Sequence, residues 1–153
     1  MQNAHEYWLK FAHTAQIKAN CKRRKVGAVL VKDNHIISSG YNGTPSGFIN
    51  CLDGGCKRCE DIVIKPGENY ELCISVHAEQ NCILQAAKFG TSTAGGVLYT
   101  TLQPCLDCLK ILTSAGICDI IYSEVWRPSD YQFDTYWGLA KSMNQFCRLE
   151  EVS

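Results

Sequence analysis

The sequence predicts a layered α/β domain, a mixed sheet with helices on both faces. Three observations predict it. Strand-like and helix-like patterns alternate through the second half of the chain, as they do when each strand is covered by the helix that follows it. Val26 to Val31 is apolar without alternation, the pattern of a strand buried between two layers. The chain of 153 residues, 46% hydrophobic and 20% charged, suits a single domain over 1–153, which can bury roughly two-thirds of its unfolded surface without cross-links.

The elements follow in order. Asn3 can cap a helix, with Glu6 three residues on. Trp8, Phe11, Ala12, Ala15 and Ala19 then recur at the spacing of one apolar face, so a helix is expected over 4–19. Lys22-Arg23-Arg24-Lys25 is the one dense basic cluster and leads into the strand at 26–31. Asp33-Asn34 offers a tight turn, after which 35–41 returns as the antiparallel neighbour. From 42 to 75 Gly and Pro break every period, and an irregular insertion of that length needs a function or a staple.

Regularity resumes at His77, where Cys82, Ile83, Ala86 and Ala87 mark a helix ending near Gly90. A strand at 96–101 precedes a helix opened by Pro104, with Cys105, Cys108, Leu109, Leu112 and Ala115 on one side and Gly116 at its end. A strand at 117–123, a weaker helix at 131–143 and a polar, edge-like strand at 147–152 complete the chain. The helix starts at 77 and 105 are expected to face the same end of the sheet.

Fifteen basic residues balance fifteen acidic ones, which excludes the broad electrostatic footprint of a nucleic-acid-gripping protein but not a local anion site. No apolar run approaches the ~18 residues of a membrane span. The first residues lack a basic segment followed by an apolar core, so a cytoplasmic location is expected. In that reducing compartment ten cysteines point to metal or catalysis rather than disulfides.

His77-Ala78-Glu79 and Pro104-Cys105-Leu106-Asp107-Cys108 carry the chemistry. One imidazole and two thiolates give three Zn²⁺ ligands and leave a fourth tetrahedral position open to water, the arrangement of a catalytic rather than a structural site. Cys105 and Cys108 are three apart and share a helix face, and the positive end of the helix dipole favours thiolate. Glu79, two residues from His77, can approach that water without ligating the metal, which is the position of a proton shuttle. A closed zinc site, or three residues buried together by chance, gives no reason for Glu79 or Pro104.

H-x-E followed by P-C-x-x-C is the pattern of zinc nucleobase deaminases. Together with Cys21 to Val29, Gly40 to Gly47 and Asn50-Cys51, it makes most of the chain resemble the zinc-dependent cytidine and deoxycytidylate deaminase family. The resemblance implies a three-layer cytidine-deaminase-like fold with a five-stranded mixed sheet. It implies hydrolytic deamination of dCMP to dUMP and ammonia, with Glu79 moving protons from water to ring N3 and to the departing ammonia. It also implies that Asn42 holds the sugar and that Ala78 and the strand end at 100–102 frame the base. Tyr122, with Trp126 and Arg127, is a further candidate for substrate contact. Similar proteins are oligomers, often hexamers, switched on by dCTP and off by dTTP, and the region of Lys88 and Phe89 lies at their subunit contacts. Arg24 and Lys25, with Asn42 and Gly43, are the candidates for a substrate or effector phosphate.

A second zinc is expected in the insertion. Cys51, Cys56, Cys59 and Cys73 include one C-x2-C pair, and Cys21 is a fifth candidate. Four of the five suffice for a structural ion that holds an apolar-poor segment folded, and the family matches Cys21 and Cys51 to such ligands. Cys82, Cys118 and Cys147 are expected as small core residues, and His5, His13 and His35 as surface or packing residues. Competing functions are a deaminase of dCTP, a deaminase acting on bases in tRNA or single-stranded DNA, and a non-catalytic zinc module. The neutral charge and the insertion disfavour a polynucleotide substrate. Glu79 disfavours the non-catalytic module.

Overall fold

The computed structural model describes residues 3–66 and 68–149. Five strands form one mixed sheet: β1 (Gly27–Lys32), β2 (His35–Tyr41), β3 (Val97–Leu102), β4 (Asp119–Glu124) and β5 (Gln145–Arg148), in the spatial order β2-β1-β3-β4-β5. β1 runs antiparallel to β2 and β3, whereas β3, β4 and β5 are mutually parallel. The hairpin turns on Asp33 and Asn34, whose φ values of 50° and 62° match the twist of the flanking strands.

Successive strand residues face opposite layers. Val29, Val31, Tyr99 and Ile121 meet Leu9 and Ala12 of α1 (Ala4–Gln16) on one face. Ala28, Leu30, Leu98 and Ile120 meet the other layer: Cys82 of α3 (Ala78–Lys88), Leu109 and Leu112 of α4 (Leu106–Ser114) and Tyr136 of α5 (Phe133–Ala140). The three-layer expectation is met. His5 Nδ1 lies 3.0 Å from the Tyr99 hydroxyl and His13 Nε2 3.0 Å from Ser123 Oγ, so both imidazoles fasten α1 to the sheet.

Several boundaries move. The first helix ends at Gln16, not 19, and its buried face is Leu9 and Ala12, with Phe11 exposed against Tyr7 and Trp8. Tertiary contact with the sheet, not the full apolar count, selected the face. The insertion contains three single turns, two of them 3₁₀ (Cys51–Asp53 and Tyr70–Leu72) and one α2 (Lys57–Glu60). The last strand begins at Gln145 because its backbone pairs with β4 from Asp119 on, and residues 150–152 of the expected strand lie outside the described residues. Cys118 and Cys147 are exposed rather than core residues, Cys147 because β5 is the sheet's edge and Cys118 because it lies just before β4 rather than within it, whereas Cys82 is fully buried as expected.

Gly40 shows how tightly the layers approach behind the site. A Cβ there would lie 2.3 Å from the carbonyl oxygen of Ala78, so β2 touches the first turn of α3 with no side chain between. Among the described residues, no helix is long and apolar enough to cross a membrane.

Candidate active site

His77 and Cys105 occupy the N-caps of α3 and α4, and both helix starts converge at the carboxyl end of β3. The Gln80 side chain accepts the His77 N–H at 2.9 Å, which fixes the cap. His77 Nδ1 stands 3.2 Å from Cys108 Sγ and 3.6 Å from Cys105 Sγ. All three ligand atoms lie within 4.8 Å of one another. Zinc bonds of ordinary length set at tetrahedral angles put N and S ligands about 3.5 Å apart, so the donor set fits a zinc ion.

Glu79 is buried in the first turn of α3. Its Oε1 accepts from Thr100 Oγ1 at 3.3 Å and its Oε2 from Cys108 Sγ at 3.3 Å. The carboxylate therefore borders the ligand cluster without belonging to it, as the sequence reading requires. Burial raises its pKa above the usual carboxylate range, although the His77 charge opposes this. Hydrogen bonding from Cys108, with that of His77, pulls the Cys105 thiol down to about 4 against the effect of burial. Cys108 rises in consequence, as the donor to Cys105 and by burial. His77 is raised by its hydrogen bond to Cys105. The cluster thus shares protons among groups that a metal cation would take in deprotonated form. Thr100 was legible only as part of the strand end; its hydroxyl contact to Glu79 follows from packing β3 beneath α3.

The second cluster also assembles. Cys21, Cys51 and Cys59 sulfurs lie within 4.8 Å of one another, and Cys56 and Cys73 pack against them. Cys56 Sγ receives backbone N–H bonds from Cys59, Ile74 and Arg58, which together with the Cys59 thiol overcome burial and lower its pKa. Lys22 N–H donates to Cys51 Sγ at 3.4 Å. An all-thiolate donor set suits zinc, and N–H donors aimed at sulfur offset the negative charge it would carry.

The basic segment and Asn42-Gly43 do come together. Asn42 Oδ1 accepts from Val26 N–H at 2.8 Å and its Nδ2 donates to the Arg24 carbonyl at 2.7 Å. Its amide is thus engaged in joining the two segments. Gly43 exchanges both backbone hydrogen bonds with Val76, at 3.2 and 2.8 Å. Lys22 pairs with Glu60, and Arg23 donates to the carbonyls of Arg58 and Asp61. These two cations serve the insertion. Arg24 pairs with Glu124 at 2.8 Å, and Lys25 is exposed. Ala78 is fully buried at the start of α3. Tyr122 is buried in the core on β4 with its ring 5.3 Å from that of Phe146.

Residues 2–124 match the cytidine and deoxycytidylate deaminase zinc-binding region. The chain belongs to the cytidine and deoxycytidylate deaminase family. It is 39% identical over 140 residues to the deoxycytidylate deaminase of Schizosaccharomyces pombe, covering 92% of this chain and 43% of that one. It is 34% identical over 145 residues to the Saccharomyces cerevisiae enzyme of the same name, covering 95% of this chain and 45% of that one. The chain therefore spans under half the length of these two relatives. A cyanophage S-TIM5 dCMP deaminase, solved in complex with dCMP and dUMP, superposes with a TM-score of 0.72 at 32% identity, covering 97% of this chain and 100% of that one. The five-stranded sheet and its helices are those of this family fold.

Proposed function

We propose that the chain is a zinc-dependent deaminase that converts dCMP to dUMP and ammonia. One observation carries the reading: Glu79, buried and free of the ligand cluster, borders the His77, Cys105 and Cys108 donors by way of Cys108. Those three residues would hold zinc, which supplies a Lewis acid that makes water nucleophilic near neutral pH. Glu79 accepts a proton from that water and returns protons to ring N3 and the leaving ammonia. Its raised pKa helps it hold the proton between those transfers. Thr100 orients the carboxylate, and the Gln80 cap keeps His77 in register.

Four of Cys21, Cys51, Cys56, Cys59 and Cys73 supply the ligands of a second, structural zinc in this proposal. Self-association is also proposed. Leu84 of α3 and Ile111 of α4 line an exposed apolar surface that a second copy would bury, and Phe89 is exposed just past the end of α3. The zero net charge favours a free nucleotide over a polynucleotide. Comparative turnover of dCMP, cytidine, dCTP and a cytosine-containing oligonucleotide tests the substrate class, and preference for the oligonucleotide or the nucleoside would overturn it.

Nucleotide recognition is proposed to draw on Arg24 and Lys25. Arg24 is tethered to Glu124, whose carbonyl receives the Gln103 N–H at 2.8 Å, which places the guanidinium at the same end of the sheet as the active site. With regulation by dCTP as activator and dTTP as inhibitor, replacing both cations by Gln is expected to raise the KM for dCMP or to abolish the effector response. Losing charge-assisted phosphate contacts corresponds to roughly 10-fold or more. Unchanged dCMP kinetics together with an unchanged effector response would exclude the cluster from phosphate binding.

A further inference from the structure

Of the three residues that converge on the active site, Cys105 owes least to its own helix. Cys108 lies within α4, and His77 is held by the Gln80 cap. Cys105 precedes the first turn, with φ −70° and ψ 171°, so the preceding dipeptide Gln103-Pro104 decides where its side chain points. Both residues of that dipeptide are almost wholly buried.

Tyr136, from α5, grips that dipeptide. Its hydroxyl donates to the Pro104 carbonyl at 2.5 Å and accepts from the Gln103 side-chain amide at 3.0 Å. Its ring is completely buried and wedged among Trp126, Trp137 and Phe146, with centroids 5.5, 5.3 and 6.2 Å away. The Pro104 carbonyl and the Cys105 nitrogen share one planar peptide. Holding the oxygen therefore fixes the Cys105 N–Cα bond, and the Leu109 N–H bond to the Cys105 carbonyl at 2.9 Å anchors the other side of Cα, so that together they set where the Cys105 Cβ points. A ring this confined cannot follow a shifting carbonyl, so the hydroxyl is a fixed point.

We propose that Tyr136 is a positioning residue that aims Cys105 at the metal, joining α5 to the active site from behind. The inference rests on the zinc reading above. Outer groups that orient a ligand change metal affinity, typically by about 10–100-fold when removed. Tyr136→Phe keeps the ring and deletes the hydroxyl, leaving the Pro104 carbonyl and the Gln103 amide buried without that partner.

The test uses the full chain. Zinc competition with a chromophoric chelator measures the active-site ion, identified as the one that Cys105→Ala loses, and Co²⁺ substitution reports ligand geometry through its visible thiolate bands. Y136F is expected to bind active-site zinc about 10–100-fold more weakly, to shift the Co²⁺ bands, and to lower kcat with the KM for dCMP changed by less than about twofold. The double variant Y136F/Q103L removes one of the two orphaned buried groups. It should recover melting temperature relative to Y136F without recovering zinc affinity, and it serves also if Y136F alone is too unstable to purify. Affinity and Co²⁺ bands equal to wild type in folded Y136F overturn the inference, as does affinity that returns in step with melting temperature in the double variant. A wild-type chain that holds no zinc at His77, Cys105 and Cys108 would overturn the zinc reading and this inference together. An intact wild-type site that Y136F leaves unchanged overturns this inference alone.

Discussion

Glu79→Gln is expected to lower turnover by at least ~10³-fold while the protein keeps its fold and its zinc. The carboxylate is 4% exposed and contacts Thr100 and Cys108, both of which a glutamine of the same shape can still meet. What the amide cannot do is take up a proton and give it back. Deamination needs such transfers at more than one step, so the losses compound. Metal content is read alongside turnover. Near-normal rates in zinc-replete protein would remove Glu79 from the chemistry.

The second large effect is on stability. Zinc-replete protein is expected to hold two zinc ions per chain, and Cys51→Ala is expected to lose one of them and to melt far earlier. Cys51 is completely buried at the meeting of the insertion with Cys21, and Asn20 Oδ1 accepts its N–H at 3.3 Å. Structural zinc in small metal domains contributes on the order of 10 kcal/mol, and each kcal/mol moves the melting temperature of a chain of this size by ~2–4 °C, so a fall of roughly 10 °C or more is expected. Cys105→Ala should show the opposite profile, with activity abolished and the fold little damaged. Elemental analysis finding one zinc per folded chain would eliminate the second site and leave the first standing.

The candidate active-site residues were legible as a cluster because their spacing is local. His77 and Glu79 sit two apart, Cys105 and Cys108 three apart, and Pro104 and the helix-start pattern gave both pairs a place in the fold. The alternation of strand and helix likewise carried the layer order. What escaped was set by contacts between distant segments. Leu9 replaced Phe11 on the buried face because only the sheet beneath α1 distinguishes them. Cys147 read as a core thiol until β5 proved to be an edge, and Cys118 until β4 proved to start one residue after it. The run Lys22 to Lys25 read as one basic patch, yet Glu60, the Arg58 and Asp61 carbonyls and Glu124 each claim a member, none of them near it in sequence. Tyr136 sits 32 positions from the Pro104 carbonyl it holds, and nothing in its local sequence announces the contact.

The central claim is that His77, Cys105, Cys108 and Glu79 form a zinc site that deaminates dCMP, and product formation tests it most directly. Zinc-replete protein is mixed with dCMP, and dUMP and ammonia are quantified together before chelation, after it and after zinc is restored. The account predicts equal amounts of both products, arrest on removal of the active-site ion and recovery on its return. Zinc-replete protein that binds dCMP and releases neither product, or releases both at the same rate after the active-site ion has been removed, would contradict it.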